Sequence, residues 1–341
     1  MEYINRLKEQ MENGPRRFSK KYIDRCLAYA SNLIEKDLPV IFDIKHLSKL
    51  MGIKYSVLSH YIANTEYLYS EFSIPKRNGG YRTIDSPSLN LKKIQRWILD
   101  NILVYLEVSP CATGFKRNSN ILVNAKHHID KNVVYTIDIK DFFPNISDEK
   151  IYFLFYNLGY SSEIAYALTN LLTYEGHLPQ GSPCSPILSN IYCKEMDDSL
   201  QKIADRFNFS YSRYADDMTF SSNDVSSLIS KTDTVKKTLA FFGFELNQGK
   251  ERFQYQNQTQ MVTGLIVNKG VKVRRVFKKE VEKHIYFCEK YGVYNHLQKI
   301  GMSEKSFFKE YLYGKVHFIY SIEPDIGKRY LERLDKISWS Y

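Results

Sequence analysis

The residues best equipped for chemistry are two adjacent carboxylates in Tyr214-Ala215-Asp216-Asp217. Phe209, Tyr211 and Arg213 alternate with smaller residues before them, and Met218 and Phe220 resume the alternation afterwards. A period of two on both sides predicts a β-hairpin with the two acids at its tip. Neighbouring anions repel, so a fold that presents them together suits a cation. Hard oxygen ligands favour Mg²⁺, which keeps part of its water shell and shares its coordination with substrate phosphates. An acidic turn facing solvent is the plainer alternative. Asp197-Asp198, on a predicted helix, is read that way, as solvated surface.

A third acid stands at the end of Val133-Val-Tyr-Thr-Ile-Asp138-Ile139, a continuous β-branched and apolar run of the kind a buried central strand requires. A carboxylate closing a buried strand is costly unless neutralised. A bound cation would neutralise Asp138, and Asp216 and Asp217 would share that cation if the hairpin paired beside this strand.

Other segments must position these acids. Residues 1 to about 70 read as helical, and Leu47 to Leu58 have the apolar spacing and central glycine of a helix-turn-helix. Two ordinary helices packed on the next domain are the preferred reading there. Ile74 to Ile84 predict a cationic β-hairpin turning at Asn78-Gly79-Gly80, with Lys76, Arg77 and Arg82 beside the turn. An amphipathic helix follows from Leu91. His128, in Asn124-Ala125-Lys126-His127-His128, is by itself most simply a structural hydrogen-bonding residue. Leu178-Pro-Gln180-Gly181-Ser-Pro-Cys-Ser-Pro186 predicts a rigid loop opening a helix, where free N–H groups favour an anion or a nucleotide. Gln260–Val267 and Val271–Arg275 read as two strands around Asn268-Lys-Gly270, and basic, aromatic helices run from Phe277 onward.

Composition narrows the partners. The chain has 341 residues, a formal charge of +10, 27 tyrosines and 20 phenylalanines. Clustered Lys and Arg gain by displacing counterions from a polyanion, and aromatic faces offer stacking surface to bases. No apolar run is long enough to span a membrane, and the start lacks the apolar core of a signal peptide. Five widely spaced cysteines fit no zinc pattern and read as reduced thiols, which predicts a cytoplasmic protein.

Taken in order, Asp138-x-x-Asp-Phe-Phe, Leu-Pro-Gln-Gly-Ser-Pro, Tyr-Ala-Asp-Asp, Gly243 to Lys250 and Val262-Thr263-Gly264-Leu265 resemble the motif series of reverse transcriptases. The resemblance runs from about residue 74 to 275. Asn124-Ala125-x-x-His128 and Val262-Thr263-Gly264 further resemble bacterial retron reverse transcriptases. The length leaves no room for RNase H, endonuclease or maturase domains beside this stretch, which sets the chain apart from retroviral and complete group II intron enzymes.

The resemblance implies an α+β right-hand polymerase: an N-terminal helical segment (1–70), fingers and an antiparallel palm (71–275) and a helical thumb (276–341). It implies two Mg²⁺ ions held by Asp138, Asp216, Asp217 and the carbonyl of Ile139, with deoxynucleoside triphosphates as substrates. Lys76 and Arg82 match residues that grip the triphosphate, Gln180 and Gly181 the loop beneath the nucleotide, and Lys250 the lysine that protonates pyrophosphate. Phe143 matches the aromatic gate that rejects a ribose 2′-OH, although Phe142 or Phe143 also suits the core. Asn124, His128, Val262, Thr263, Gly264, Arg274 and Arg275 become candidate RNA contacts. The implied partners are a cognate structured non-coding RNA, its branched DNA product (msDNA) primed from a guanosine 2′-OH, and a separate effector protein in antiviral defence. A stand-alone phage-defence enzyme, a group II intron-like enzyme and a scaffold for RNA and DNA remain the alternatives.

Overall fold

The computed structural model describes residues 2–76, 79–301 and 307–339. Contacts group the chain into two compact units, each assembled from three stretches. The first comprises Met1–Phe115, Ile139–Ser199 and Thr238–Glu245; the second comprises Lys116–Asp138, Leu200–Lys237 and Leu246–Tyr341.

In the first unit, helices Ile44–Leu50 and Tyr55–Ala63 form the predicted pair, with Gly52 at φ +68 in the turn between them. They pack on helix Ser162–Leu172, where Asn170 Nδ2 donates to the Ile62 carbonyl at 3.1 Å. Strands β1 (Tyr69–Pro75) and β2 (Tyr81–Pro87) pair antiparallel, with Ile74 opposite Arg82. The hairpin's turn glycines, Gly79 and Gly80, take φ of +89 and +78, a region that favours glycine; Arg77 and Asn78 lie outside the described residues. At the base of the hairpin, Tyr69 stacks on Tyr174 and accepts a hydrogen bond from the buried Gln95 at 2.9 Å. Helix Leu89–Asn101, capped by Ser88, carries Gln95 and buries Leu91, Ile94 and Ile98.

One expectation for this unit fails. Asp197 is wholly buried and Asp198 half-buried, so the pair is not solvated surface. Asp198 accepts from Ser109 at 2.8 Å and pairs with Lys194 at 3.1 Å. The helix they occupy, Lys194–Arg206, turns that face inward, which residue type alone does not reveal.

The second unit is built on a four-stranded antiparallel sheet. Its strands are β3 (Val133–Asp138), β4 (Ser210–Tyr214), β5 (Asp217–Ser222) and β6 (Arg252–Tyr255), in the order β4-β5-β3-β6. β3 is central and almost wholly buried, as its unbroken apolar run requires. Tyr135 on β3 stacks on Phe253 at 4.5 Å, and Tyr211 stacks on Phe220 at 4.6 Å. Such cross-strand aromatic pairs fix register.

Beyond the sheet, the strand pattern differs from expectation. Val262-Thr263-Gly264-Leu265 is itself a tight hairpin, with β7 (Met261–Val262) and β8 (Leu265–Ile266) on either side of Thr263 and Gly264. Both turn residues have positive φ, +45 and +84. Val271–Arg275 forms no strand; only Lys272 bridges to Ile266, and Arg275 opens a helix. Val262, Leu265, Val267 and Val273 join Ile285, Leu312, Val316 and Ile319 in one apolar core. Helices Arg275–Tyr291, Val293–Lys299, Phe308–Ile322 and Pro324–Leu334 complete it. Lys278 and the backbone N–H of Val273 both bond Glu323, at 2.8 and 2.9 Å, tying the segment before the first of these helices to the end of the third.

The last two helices meet where Gly327 lies against Tyr320. A Cβ on Gly327 would stand 2.2 Å from Tyr320 Cα and 2.6 Å from its nitrogen, both backbone atoms that cannot swing aside. Gly327→Ala should therefore destabilise this unit by about 1–3 kcal/mol, the usual cost of overpacking. Thermal unfolding would show a lower transition; an unchanged one would mean the two helices separate freely.

Candidate active site

β3 and β5 bring the predicted acids together. In their antiparallel register Asp138 lies directly opposite Asp217, and Asp216 sits in the two-residue turn that precedes β5. Asp138 is buried, at 5% exposure, because it closes a strand whose other residues are core. Ala215 in the turn takes φ +59, a left-handed conformation uncommon for a residue with a side chain. Its carbonyl accepts from Nη1 of Arg213 at 3.1 Å, and Arg213 is completely buried. That guanidinium clamp was invisible in the sequence, where Arg213 read only as one member of the alternation. Lys250 ends a single 3₁₀ turn, Gln248–Lys250, tied to β3 by Asn247 N–H donating to the Asp138 carbonyl at 2.9 Å. Its Nζ lies 2.8 Å from Oδ2 of Asp138. Behind them, Tyr135 donates to Glu251 at 2.8 Å and Lys236 pairs with the same carboxylate at 2.8 Å.

The candidate nucleotide residues Lys76, Arg82, Ile139, Phe143, Gln180 and Gly181 belong to the first unit. Lys76 and Arg82 are exposed on the β1–β2 hairpin. Gln180 and Gly181 are fastened to that hairpin: the Asp85 N–H donates to the Gln180 carbonyl, and the Gln180 N–H donates to the Asp85 carboxylate, both at 3.1 Å. A Cβ on Gly181 would lie 2.4 Å from the Asp85 carbonyl oxygen, so the close approach requires glycine. Phe143 is half-buried between Phe115 and Phe142, whereas Phe142 is core and packs on Phe244. Lys150, which the sequence did not single out, stands over the rings of Tyr192 and Phe244 and donates to the Asn145 carbonyl at 2.9 Å. It braces the loop on which Phe143 lies.

The candidate RNA residues divide in two. Arg274 and Arg275 are exposed where the first C-terminal helix begins. Gly264 is exposed and Thr263 half-buried at the tip of the β7–β8 turn. Asn124, His128 and Val262 are buried, at 1%, 0% and 0% exposure, so their side chains have no surface to offer an RNA. His128 bonds Ser212 and Ser221, each at 2.7 Å, and burial holds its imidazole down to about 3, helped by His127 and Lys131. It is neutral at every physiological pH.

Residues 74–272 match the family model described as reverse transcriptase, an RNA-dependent DNA polymerase. The chain belongs to the reverse transcriptase family. Among curated proteins it is 31% identical to the retron Ec86 reverse transcriptase of Escherichia coli, over 89% of this chain and 92% of that one. It is 31% identical to the retron Mx162 reverse transcriptase of Myxococcus xanthus, over 91% of this chain and 69% of the relative. For the Mx65 enzyme of the same organism the figures are 34%, 70% and 61%. A telomerase structure from Candida albicans, with an RNA fragment, aligns at TM-score 0.46 and 13% identity, covering 92% of this chain and 64% of that one, too loose a likeness to weigh here. This reverse transcriptase is thus a bacterial retron-type RNA-directed DNA polymerase with a right-hand polymerase fold of mixed helix and sheet. Among the described residues no helix is long and apolar enough to cross a membrane.

The family depends on divalent metal and uses deoxynucleoside triphosphates. The carboxylates suit such a metal in kind. Asp217 opens to solvent on one side, yet the protein around its base, then the charges of Asp216 and Asp138, push its carboxyl up to about 6. The like charges are the part of this crowding that a cation would relieve. Burial opposes the charge on Lys250, but its bond to Asp138 and the three carboxylates outweigh that and raise its pKa, keeping it protonated. In position the acids are less ready: among the described residues no three His, Cys, Asp or Glu side chains already converge on one metal-sized point. Asp138 is turned toward Lys250 instead.

A raised carboxyl pKa means that the folded protein holds this proton more tightly than the unfolded chain does. Charging Asp217 therefore costs metal-free stability as pH climbs through about 6, and protonating it costs metal affinity as pH falls through the same range. Calorimetric titration with Mn²⁺ should show affinity dropping below about pH 6 in the wild type and a flatter, weaker profile in Asp217→Asn. Parallel profiles for the two proteins would exclude Asp217 from the site.

Proposed function

We propose that this reverse transcriptase copies part of its own structured non-coding RNA into a branched RNA–DNA product, starting from an internal 2′-OH, and works with a separate effector in antiphage defence. The observation that carries the catalytic part is the pairing of Asp138 with Asp217 across β3 and β5, with Asp216 in the adjoining turn. The retron part is supported by 31% identity to the Ec86 enzyme across 92% of its length. The charge of +10 suits the nucleic acid, and the free thiols of all five cysteines suit the bacterial cytoplasm.

In this reading β3 to β6 form the palm, β1 and β2 the fingers, and the helices after Arg275 the thumb. Asp138, Asp216, Asp217 and the Ile139 carbonyl would hold two Mg²⁺ ions, whose chemistry when bound would be to acidify the attacking hydroxyl and offset charge on the pyrophosphate. The protein's own groups do the rest. Protonated Lys250 donates to Asp138 and supplies a proton to the pyrophosphate as it leaves. Lys76 and Arg82 bind the triphosphate as mobile surface cations. Gln180 and Gly181 present backbone beneath the nucleotide, at a separation that Asp85 sets. Phe143 stands against the sugar, and the exposed Arg274, Arg275 and Gly264 meet the RNA.

Two measurements test this. Protein purified with its RNA should carry short DNA whose mobility on a denaturing gel changes with debranching enzyme. Asp216→Asn should purify folded but without that DNA, because it keeps the shape of Asp216 and removes its charge. Near-normal product from the variant would sink the catalytic assignment, and unbranched DNA would sink the priming assignment.

The second measurement concerns sugar choice. Phe143→Val should raise ribonucleotide use relative to deoxyribonucleotides by tenfold or more, since removing a clash of roughly 1.4 kcal/mol changes a ratio by that factor. An unchanged ratio would make Phe143 a packing residue and move the gate elsewhere.

A further inference from the structure

Two short elements that resemble retron enzymes, Asn124 to His128 and Val262 to Gly264, meet inside the second unit through one buried chain of hydrogen bonds. His128 Nδ1 lies 2.7 Å from Ser221 Oγ, and His128 Nε2 lies 2.7 Å from Ser212 Oγ. Ser212 Oγ lies 2.7 Å from Asn124 Oδ1. Asn124 Nδ2 reaches Thr263 Oγ1 at 3.4 Å, and Thr263 Oγ1 reaches the Ile121 carbonyl at the same distance. Ser212, Ser221, Asn124 and His128 are all essentially without solvent exposure.

The direction of every link follows from its last member. A carbonyl oxygen only accepts, so the Thr263 hydroxyl hydrogen goes to Ile121. Thr263 then accepts, so the Asn124 atom facing it is the amide nitrogen, and the amide oxygen faces Ser212. That oxygen also only accepts, so the Ser212 hydrogen points to Asn124. Ser212 in turn accepts from His128, so the ring carries its hydrogen on Nε2. A neutral imidazole has one N–H, and Nδ1 therefore accepts from Ser221. Along these links the chain runs one way, from β5 through β4 to the β7–β8 turn.

We propose that Ser212 and His128 are positioning residues: through this directional chain they fix the catalytic hairpin to the Val262-Thr263-Gly264 turn. Ser212 stands two residues before Tyr214 on β4, and Ser221 lies on β5, so the chain grips both strands that carry Asp216 and Asp217. Thr263 holds the far end in a conformation, φ +45, that a β-branched residue rarely adopts. Its hydroxyl bonds to helix Ile121–Lys126 are what that strained placement secures. The inference rests on reading the hairpin's acids as catalytic.

The full chain with its RNA tests this. In nitrogen-15 spectra, His128 should show a neutral ring protonated on Nε2 from pH 5 to 8, and Ser212→Ala should shift both ring nitrogens. Ser212→Ala should lower kcat for primer extension by about 10- to 100-fold, as loss of an orienting hydrogen bond does, with KM for the nucleotide little changed. Thr263→Val should lower kcat in the same way, and the double variant should be no worse than the more damaged single one, because a chain is broken once. A ring protonated on Nδ1, or kcat losses that multiply, would overturn the proposal. If Ser212→Ala does not fold, the wild-type ring spectrum and Thr263→Val still decide it. Asp217→Asn separates the two readings: it should abolish extension while leaving the His128 spectrum unchanged. Normal extension by that variant would overturn the catalytic reading even with the hydrogen-bond chain intact.

Discussion

Two carboxylates of like charge face each other across neighbouring strands, and the second unit is arranged around that repulsion. Directly opposed like charges destabilise a sheet, so Asp138 and Asp217 are tolerated only because the remainder of the structure fixes their strands. The apolar run of β3, the aromatic stacks of Tyr135 on Phe253 and Tyr211 on Phe220, and the buried Arg213 on the Ala215 carbonyl hold the backbone in place. Lys250 bonds Asp138 and offsets part of the like charge on Asp217, whose carboxyl stays raised. The site is therefore a fixed backbone on which like charges crowd Asp217 and Asp138 is turned toward Lys250.

The first unit solves a different problem, that of bringing backbone close to backbone. Gly181 lets the Gln180 loop approach the Asp85 carbonyl to a distance that a Cβ would forbid. The two reciprocal 3.1 Å hydrogen bonds then register that loop against the cationic hairpin. Lys150 acts similarly on the loop with Phe143, using its charge on two ring faces and one carbonyl. Burial lowers its pKa, but the contacts that compensate are those of the ammonium form. In both places a loop is held by a residue from another segment, Asp85 in one case and Lys150 in the other.

Much of this was legible in the sequence, and the limits have physical causes. The period of two around Asp216 and the unbroken apolar run before Asp138 predicted β4, β5 and β3, and the cost of a buried acid made their pairing the condition for sharing a cation. Register emerged only with the turn, since it depends on which residue occupies φ +59. Gln260–Val267 was read as one strand, and the left-handed Thr263 and Gly264 break it into a tight hairpin. Asp197 was read as surface because carboxylates usually are, whereas its helix turns that residue inward. Asn124 and His128 were read as RNA contacts from resemblance alone; read as residues, His128 had pointed to a structural hydrogen-bonding role, and its burial agrees.

The two polar clusters beside the hairpin differ in charge: one is a chain of neutral hydrogen-bonding groups, the other a set of carboxylates. In the chain from Ser221 to Ile121 each link has a donor and an acceptor, so its members gain nothing by moving. Among the acids, the charges of Asp216 and Asp138 raise the Asp217 carboxyl and Lys250 offsets part of that, so an entering cation would relieve the like charge that remains. The hydrogen-bonded chain lies on the bodies of β4 and β5, and the charged acids lie at their tip. A hydrogen-bond chain with only one direction is suited to holding those strands, because it resists displacement without offering an alternative arrangement into which the hairpin can slip.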